Sequence, residues 1–348
     1  MIEELMNPWI RNLVPYSSAR NEFSGNADVF LDANESWEGF DEGVNRYPDP
    51  SASLLRRKIE EVMGFPYQMT GIGNGSDEII DILIRIFCRP EKDKIMIERP
   101  TYGTYSVFAN TSGVGVVDVP LLPSLDLDVE SVIDMVKKEK PKIVFICSPN
   151  NPTGRVYPLS EVKKIADENE GITVVDEAYA DFAEDFESAF SLIAGNPRVC
   201  VLRTFSKAYG AAGARLGILI ASGEIQKVFS KVKPPYNVSY PSLLAGMKAL
   251  DGKKSVDKRI GEVRERRKDL SSFLSKLPYV RKVFPSNANF VLVRTLDASA
   301  LYEYLLSKGI VVRNRSSEPL LENTLRITIG SESEMDRLKE ALCEWKDY

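Results

Sequence analysis

From about residue 70 to 221 the chain alternates short apolar runs with longer amphipathic stretches. The runs are Lys94–Ile97, Val114–Val119, Ile143–Cys147, Ile172–Val175, Val199–Thr204 and Leu216–Ala221. They are continuous rather than alternating, the pattern of strands covered on both faces. Between them, Asp77–Phe87, Glu130–Lys138 and Ser160–Glu168 carry helical patterns. The alternation predicts an α/β domain whose mostly parallel central sheet is flanked by helices. After residue 240 the pattern changes. A long polar helix containing Arg264–Leu270 comes first. Strand candidates Phe290–Val293, Ile310–Val312 and Leu325–Ile329 then alternate with helices Ala298–Lys308 and Glu332–Trp345. That predicts a smaller α+β domain. The first 25 residues, rich in Asn, Ser and Arg, predict an extended arm. The expected division is an N-terminal arm over 1–25, a large domain over 26–240 and a small C-terminal domain over 241–348.

Composition narrows the class. A chain of 348 residues has room for about two domains. No run approaches the roughly 18 apolar residues of a membrane span, so none is expected. Met1-Ile-Glu-Glu carries acids where a secretory signal needs bases, which makes the cytoplasm the expected compartment. The net charge of −5, with both signs interspersed, offers no basic face for nucleic acid. The stretch Arg264–Lys268 reads as a solvated helix face. Cys88, Cys147, Cys200 and Cys343 form no CxxC pair, and three lie in apolar runs. They read as buried free thiols of a reducing compartment. The chain has no histidine. That excludes Ser-His and Cys-His nucleophiles and removes the usual ligand of catalytic zinc, so no metal site is expected. Acid–base work falls to Lys, Tyr, Asp or Glu.

In open α/β sheets ligands bind beyond the carboxyl ends of the strands. There this sequence concentrates its chemistry. Ile143–Cys147 runs into Ser148-Pro-Asn-Asn-Pro-Thr-Gly154. Ile172–Val175 runs into Asp176-Glu-Ala-Tyr179, and Val199–Thr204 into Phe205-Ser206-Lys207, with Arg215 soon after. Upstream, Gly73-Asn-Gly-Ser-Asp-Glu78 opens a helix. Taken singly, each piece has an ordinary explanation: a surface lysine, a helix cap at Asp176, a turn at Gly73–Ser76. Together they suit one ligand, pyridoxal phosphate (PLP). Lys207 supplies the amine that bonds the cofactor aldehyde. Asp176 favours a protonated pyridine nitrogen, so that the ring can absorb carbanion charge. Asn151 and Tyr179 can donate to the ring's phenolic oxygen. Backbone N–H groups at Gly75, Ser76 and Asp77, with Thr204, Ser206 and Arg215, can hold the phosphate.

The order Ser-Pro-Asn-Asn-Pro-Thr-Gly, Asp-Glu-Ala-Tyr, Thr-x-Ser-Lys-x₇-Arg resembles the fold-type I PLP enzymes of the class-II aminotransferase group. Asn12–Arg20, Leu31–Glu35, Asn45–Pro48, Pro100–Gly103 and Leu325–Gly330 narrow the resemblance to the family acting on histidinol phosphate. It covers nearly the whole chain, departing at Ser36-Trp-Glu-Gly-Phe40, where the family has a proline-containing turn. The resemblance implies a homodimer in which Tyr47 reaches the phosphate of the other subunit's PLP. It implies that Tyr102 lies against the ring, and that Tyr16, Asn34, Arg313 and Arg326 bind the substrate. Arg326 interrupts a strand of Leu, Ile and Thr, which itself suggests a charge aimed at a site. The implied reaction transfers the amino group of L-histidinol phosphate to 2-oxoglutarate. It gives imidazole-acetol phosphate and glutamate, with Lys207 as proton shuttle. The alternatives are an aromatic or broad-specificity aminotransferase, a threonine-phosphate decarboxylase and, more remotely, a non-catalytic PLP-binding regulator.

Overall fold

The computed structural model describes residues 2–16, 27–41 and 43–346. The apolar runs become a seven-stranded sheet of β1 (Thr70–Asn74), β2 (Lys94–Arg99), β3 (Gly115–Pro120), β4 (Ile143–Cys147), β5 (Ile172–Asp176), β6 (Val199–Thr204) and β7 (Leu216–Ala221). Their order is β1-β7-β6-β5-β4-β2-β3. Strands β2 to β6 run parallel, and β7 runs antiparallel to both neighbours. Every residue of β4, β5, β6 and β7 is buried, which is why these segments read as predominantly apolar runs without alternation. The strand β1, Thr-Gly-Ile-Gly-Asn, carries too little apolar signal to be expected.

Helices cover the sheet: α1 (Ile2–Leu5), α2 (Pro8–Arg11), α3 (Ser53–Met63), α4 (Gly75–Phe87), α5 (Thr104–Thr111), α6 (Val129–Glu139), α7 (Leu159–Glu168), α8 (Gly223–Val232) and α9 (Tyr240–Asp251). The beginning of the expected arm is helical, not extended. Pro8 presets the first turn of α2. Ile2, Leu5 and Ile10 pack into the apolar cluster that holds Phe87 and Phe229. Asn7 locks this start in place, its N–H donating to Ile86 O and its Nδ2 to Cys88 O. Residues 17–25 of the expected arm lie outside the described residues.

The C-terminal part holds α10 (Lys253–Leu274), β8 (Val280–Phe284), β9 (Phe290–Thr295), α11 (Ala298–Ser307), β10 (Arg313–Asn314), β11 (Thr324–Thr328) and α12 (Glu332–Glu344). Its sheet is antiparallel, in the order β10-β11-β9-β8. Helix α10 joins two cores: Val256 and Ile260 pack with the large sheet, Leu270 and Leu274 with the small one. The run Ile310–Val312 is not a strand. Its first N–H is spent closing α11, donating to Leu305 O at 2.9 Å, and the ladder begins only at Arg313. Its apolar pattern reflects packing of Ile310 and Val312 against the small core.

The basic stretch Arg264–Lys268 departs from a solvated face. Arg267 is buried, and its Nη1 donates to Phe182 O at 3.2 Å and Ala288 O at 2.7 Å. Arg264 donates from Nε to Phe182 O at 3.1 Å. These arginines satisfy carbonyls of a turn that follows Tyr179, and so tie α10 to the large sheet. Beside them Asn287 N–H donates to Gly154 O at 2.8 Å. Gly154 has φ +74°, and a Cβ there would come within 2.3 Å of Ser286 Oγ. Cys88, Cys147 and Cys200 are buried, Cys343 is exposed, and all four are free. Among the described residues no helix is long and apolar enough to cross a membrane.

Candidate active site

The parallel strands end along one edge of the sheet, and β7 begins there because it runs the other way. This places Asp176 at the end of β5, Thr204 at the end of β6, Asn151 beyond β4, Tyr102 beyond β2 and Arg215 just before β7. The first turn of α4 faces the same edge. Ser76, Asp77, Tyr102, Asn151, Asp176, Tyr179, Thr204, Ser206, Lys207 and Arg215 line one cavity of about 130 Å³, closed by Cys147, Ala178 and Ala212. Roomier cavities of about 460 and 420 Å³ open instead at the amino ends of β4 and β5 and of β1, away from the residues at the carboxyl ends.

Local chemistry fixes each wall. Asp77 accepts from Tyr102 Oη at 3.0 Å and from Arg215 Nη2 at 3.1 Å, so one carboxylate aims both side chains. Gly75 opens α4 at φ +82°, and a Cβ there would lie 2.5 Å from Arg215 Nη2. Only glycine lets the arginine come this close to the helix start. Thr204 Oγ1 accepts from Ser206 N–H at 3.1 Å, which shapes the turn that presents Lys207. Lys207 Nζ sits 5.4 Å from the Tyr179 ring centre. Tyr179 meets Phe290 of β9 edge-on at 5.3 Å.

Arg326 reaches in from the small antiparallel sheet. On β11 it crosses the Phe290 ring, and its Nη1 donates to Asn151 Oδ1 at 2.5 Å. Its Nε is buried without a partner. Arg313 is exposed and pairs opposite Arg326 in the β10–β11 register. The cavity does not include Tyr16, Asn34 or Tyr47. Tyr16 is exposed and lines the 420 Å³ cavity. Asn34 and Tyr47 line another, and Tyr47 stacks on Tyr236 at 4.4 Å.

Electrostatics favours a reactive amine. Removal of water by the surrounding protein pulls the Lys207 ammonium below its usual range, and the Arg326 charge pulls it further. Asp176 and Asp77 oppose that. Lys207 is still reached by solvent through the cavity mouth. Burial raises the Asp176 carboxyl, opposed chiefly by the Tyr105 hydroxyl. Burial likewise lowers the Arg326 guanidinium.

Two contributors went unrecognised in the sequence. Tyr105 Oη donates to Asp176 Oδ2 at 2.7 Å from the far side of the wall, 71 positions away. Asn150 joins the two loops that carry Tyr102 and Asn151. Its Oδ1 accepts from Thr101 Oγ1 at 2.8 Å, and its Nδ2 donates to Pro100 O at 3.0 Å. The doublet Asn150-Asn151 after a strand was the one available hint, since only one of the two can face a ligand.

A lysine whose ammonium is disfavoured by its surroundings, a buried carboxylate and an arginine at a helix start suit a PLP-dependent transferase site. The family model for aminotransferase class I and II matches residues 19–342. A histidinol-phosphate aminotransferase of Cytophaga hutchinsonii is 43% identical over 343 residues, 98% of each chain. One from Parabacteroides distasonis is 42% identical over 345 residues, 99% of each chain. The crystal structure of histidinol-phosphate aminotransferase from Sinorhizobium meliloti in complex with pyridoxal-5'-phosphate matches with a TM-score of 0.80. It is 26% identical and covers 86% of this chain and 83% of that one. The chain belongs to the class I and II aminotransferases and, within them, to the histidinol-phosphate aminotransferases.

Pyridoxal phosphate is the cofactor, and the donor set fits it. The cavity holds one amine, Lys207, able to bond an aldehyde, and one buried carboxylate, Asp176, able to pair with a protonated ring nitrogen. At Gly75 the helix start and Arg215 approach so closely that a Cβ would fill the space an anion needs.

Proposed function

We propose that the chain transfers the amino group of L-histidinol phosphate to 2-oxoglutarate in histidine biosynthesis, giving imidazole-acetol phosphate and glutamate. The observation that carries this reading is Arg326: a half-buried guanidinium on Asn151 at the mouth of the Lys207 cavity, with Arg313 opposite in register. A planar guanidinium pairs with phosphate or carboxylate alike, which suits a site that takes a phosphorylated donor and a dicarboxylic acceptor in turn.

The proposed roles follow from position. Lys207 anchors the cofactor through its amine. Gly75, Ser76, Asp77, Thr204, Ser206 and Arg215 hold its phosphate, Tyr102 lies against its ring, and Asn151 and Tyr179 face its phenolic oxygen. Asp176 faces the ring nitrogen. When bound, PLP supplies an electron sink for charge that develops at the donor's Cα. With PLP bound, Lys207 Nζ would take the donor's Cα proton and hold it within the cavity. Asp176 keeps a negative charge beside the ring throughout. Arg326 and Arg313, with Tyr16 and Asn34, bind and orient the distal anion.

The same reading takes the active protein as a cytoplasmic homodimer, consistent with four free thiols. Trp9, Val14, Leu31, Trp37 and Phe40 are exposed, more large apolar surface than one N-terminal segment leaves in water without a partner. Tyr47 lies in this segment, and we assign it to the phosphate of the second subunit's cofactor. A coupled assay with histidinol phosphate and 2-oxoglutarate tests the function. Arg326→Ala is expected to raise KM for histidinol phosphate, and an unchanged KM would overturn the assignment.

A further inference from the structure

Asp176 is held at both oxygens. Oδ1 accepts from the Ala178 N–H at 3.0 Å, and Oδ2 from the Tyr105 hydroxyl at 2.7 Å. The Tyr105 ring is held on all sides, with the Cys147 thiol as the other polar group beside its hydroxyl. Tyr105 is fully buried, its ring stacks on Phe145 of β4 at 4.7 Å and 9°, and it meets Tyr102 edge-on at 5.4 Å. One turn of chain thus puts Tyr102 on the cavity wall and Tyr105 behind Asp176. We propose that Tyr105 is a positioning residue of the reaction: its hydroxyl holds the Asp176 carboxylate in place, in its anionic form, for the ring nitrogen of the cofactor. This rests on the reading that Asp176 meets that nitrogen.

The physical argument is one of donors. A buried carboxylate is costly unless its oxygens are hydrogen-bonded, and the anion accepts such bonds more strongly than the acid does. Burial holds the Tyr105 phenol far above its usual range, so it remains a donor at any working pH. The other charged or titratable groups facing Asp176 divide. Lys207, beyond β6, favours the anion. Asp77 of α4 opposes it. Cys147 of β4, Tyr102 and Tyr179 are neutral neighbours, each pushed upward in part by the Asp176 charge. No other side chain donates to Asp176 among the described residues. Without the hydroxyl, one oxygen would face a dry ring edge.

The test is Tyr105→Phe, which keeps the ring and its stacking. In the apoenzyme the Asp176 carboxyl, followed by carbon-13 NMR, is expected to titrate about one to two pH units higher than in the parent, the size of one hydrogen bond to a charged group. In the holoenzyme the nitrogen-15 shift of labelled PLP is expected to show loss of the ring proton at lower pH. The acidic limb of kcat should move up, kcat should fall about tenfold, and KM for the amino donor should stay put. Phe229→Leu, fully buried in the same apolar cluster but without a ring contact to Tyr105, serves as the packing control, and is expected to lower Tm without moving either titration. An unmoved Asp176 titration in Tyr105→Phe overturns the proposal, as does an equal shift in Phe229→Leu. Should Tyr105→Phe fail to fold, site-specific 3,5-difluorotyrosine at 105 replaces it. That stronger donor is expected to move the Asp176 titration down, and no movement overturns the proposal. Separately, Asp176→Asn with an unaltered nitrogen-15 shift would overturn the assignment of Asp176 itself.

Discussion

Arg326 Nη1 donates to Asn151 Oδ1 at 2.5 Å, joining β11 of the small sheet to the loop beyond β4 of the large one across 175 positions of sequence. One contact therefore links the group assigned to the substrate's anion with the group assigned to the cofactor's oxygen.

Truncating Arg326 should separate binding from chemistry only in part. A charge-assisted bond is worth about 1.5–3 kcal/mol, so Arg326→Ala should raise KM for histidinol phosphate roughly 10- to 100-fold. It also strips Asn151 of its donor. A smaller fall in kcat should therefore accompany the KM effect. Steady-state kinetics with Arg326→Ala and Asn151→Ala, singly and combined, measures the coupling. Strictly additive effects would argue against a shared contact.

Lys207 should react at a pH where an ordinary lysine does not. Its ammonium is lowered first by burial and then by Arg326, so the neutral amine appears at lower pH. The rate at which the apoenzyme captures PLP should rise with pH through that lowered value. Arg326→Ala removes a like charge and should move the limb to higher pH. Asp176→Asn removes an opposite charge and should move it lower. Stopped-flow capture rates across pH test this, and a limb at one pH in all three proteins would contradict it.

Gly75→Ala should damage the phosphate cradle. The backbone is at φ +82°, and the new Cβ would displace the Arg215 guanidinium. A loss of about 1–2 kcal/mol in stability is expected from the backbone conformation alone. Cofactor affinity should fall about tenfold with it. Thermal melts and PLP titration of the apoenzyme read the two effects. Unchanged affinity would mean that Arg215 is not needed at that position.

Glu98 should make stability pH-dependent. It is buried in β2 with Oε1 unpartnered, and burial pushes its carboxyl up to about 8. In the unfolded chain it titrates near ~4.3. The folded-state value is raised, so its contribution is fully present below about pH 4 and is lost as pH rises toward 8. Glu98→Gln should therefore flatten the fall in Tm between pH 5 and 8. A parallel fall in parent and variant would contradict the assignment.

Much of this architecture is legible in the residue pattern, for definite reasons. β4, β6 and β7 begin and end where expected, because both faces are covered and nearly every position is apolar, Arg203 and Thr204 of β6 being the polar exceptions. β8 escaped notice because Arg281 and Lys282 lie exposed on an edge strand. The residues clustered around Lys207 follow strands whose ends the topology aligns, so strand order alone nearly assembles them. Tyr105 could not be found this way. Its partner is remote in sequence, and its own helix reads simply as core. Tyr16, Asn34 and Tyr47 lie apart from the Lys207 cavity in a single chain, so their assigned roles depend on a second subunit.

The central claim is that Lys207 carries PLP in a transaminase acting on histidinol phosphate. The direct measurement is the absorbance of the bound cofactor during half-reactions with histidinol phosphate, phenylalanine and threonine phosphate, followed by 2-oxoglutarate. The account predicts fastest bleaching with histidinol phosphate, full recovery with 2-oxoglutarate, and neither in Lys207→Ala. Release of CO₂ from threonine phosphate without a keto acid, or normal turnover by Lys207→Ala, would contradict it.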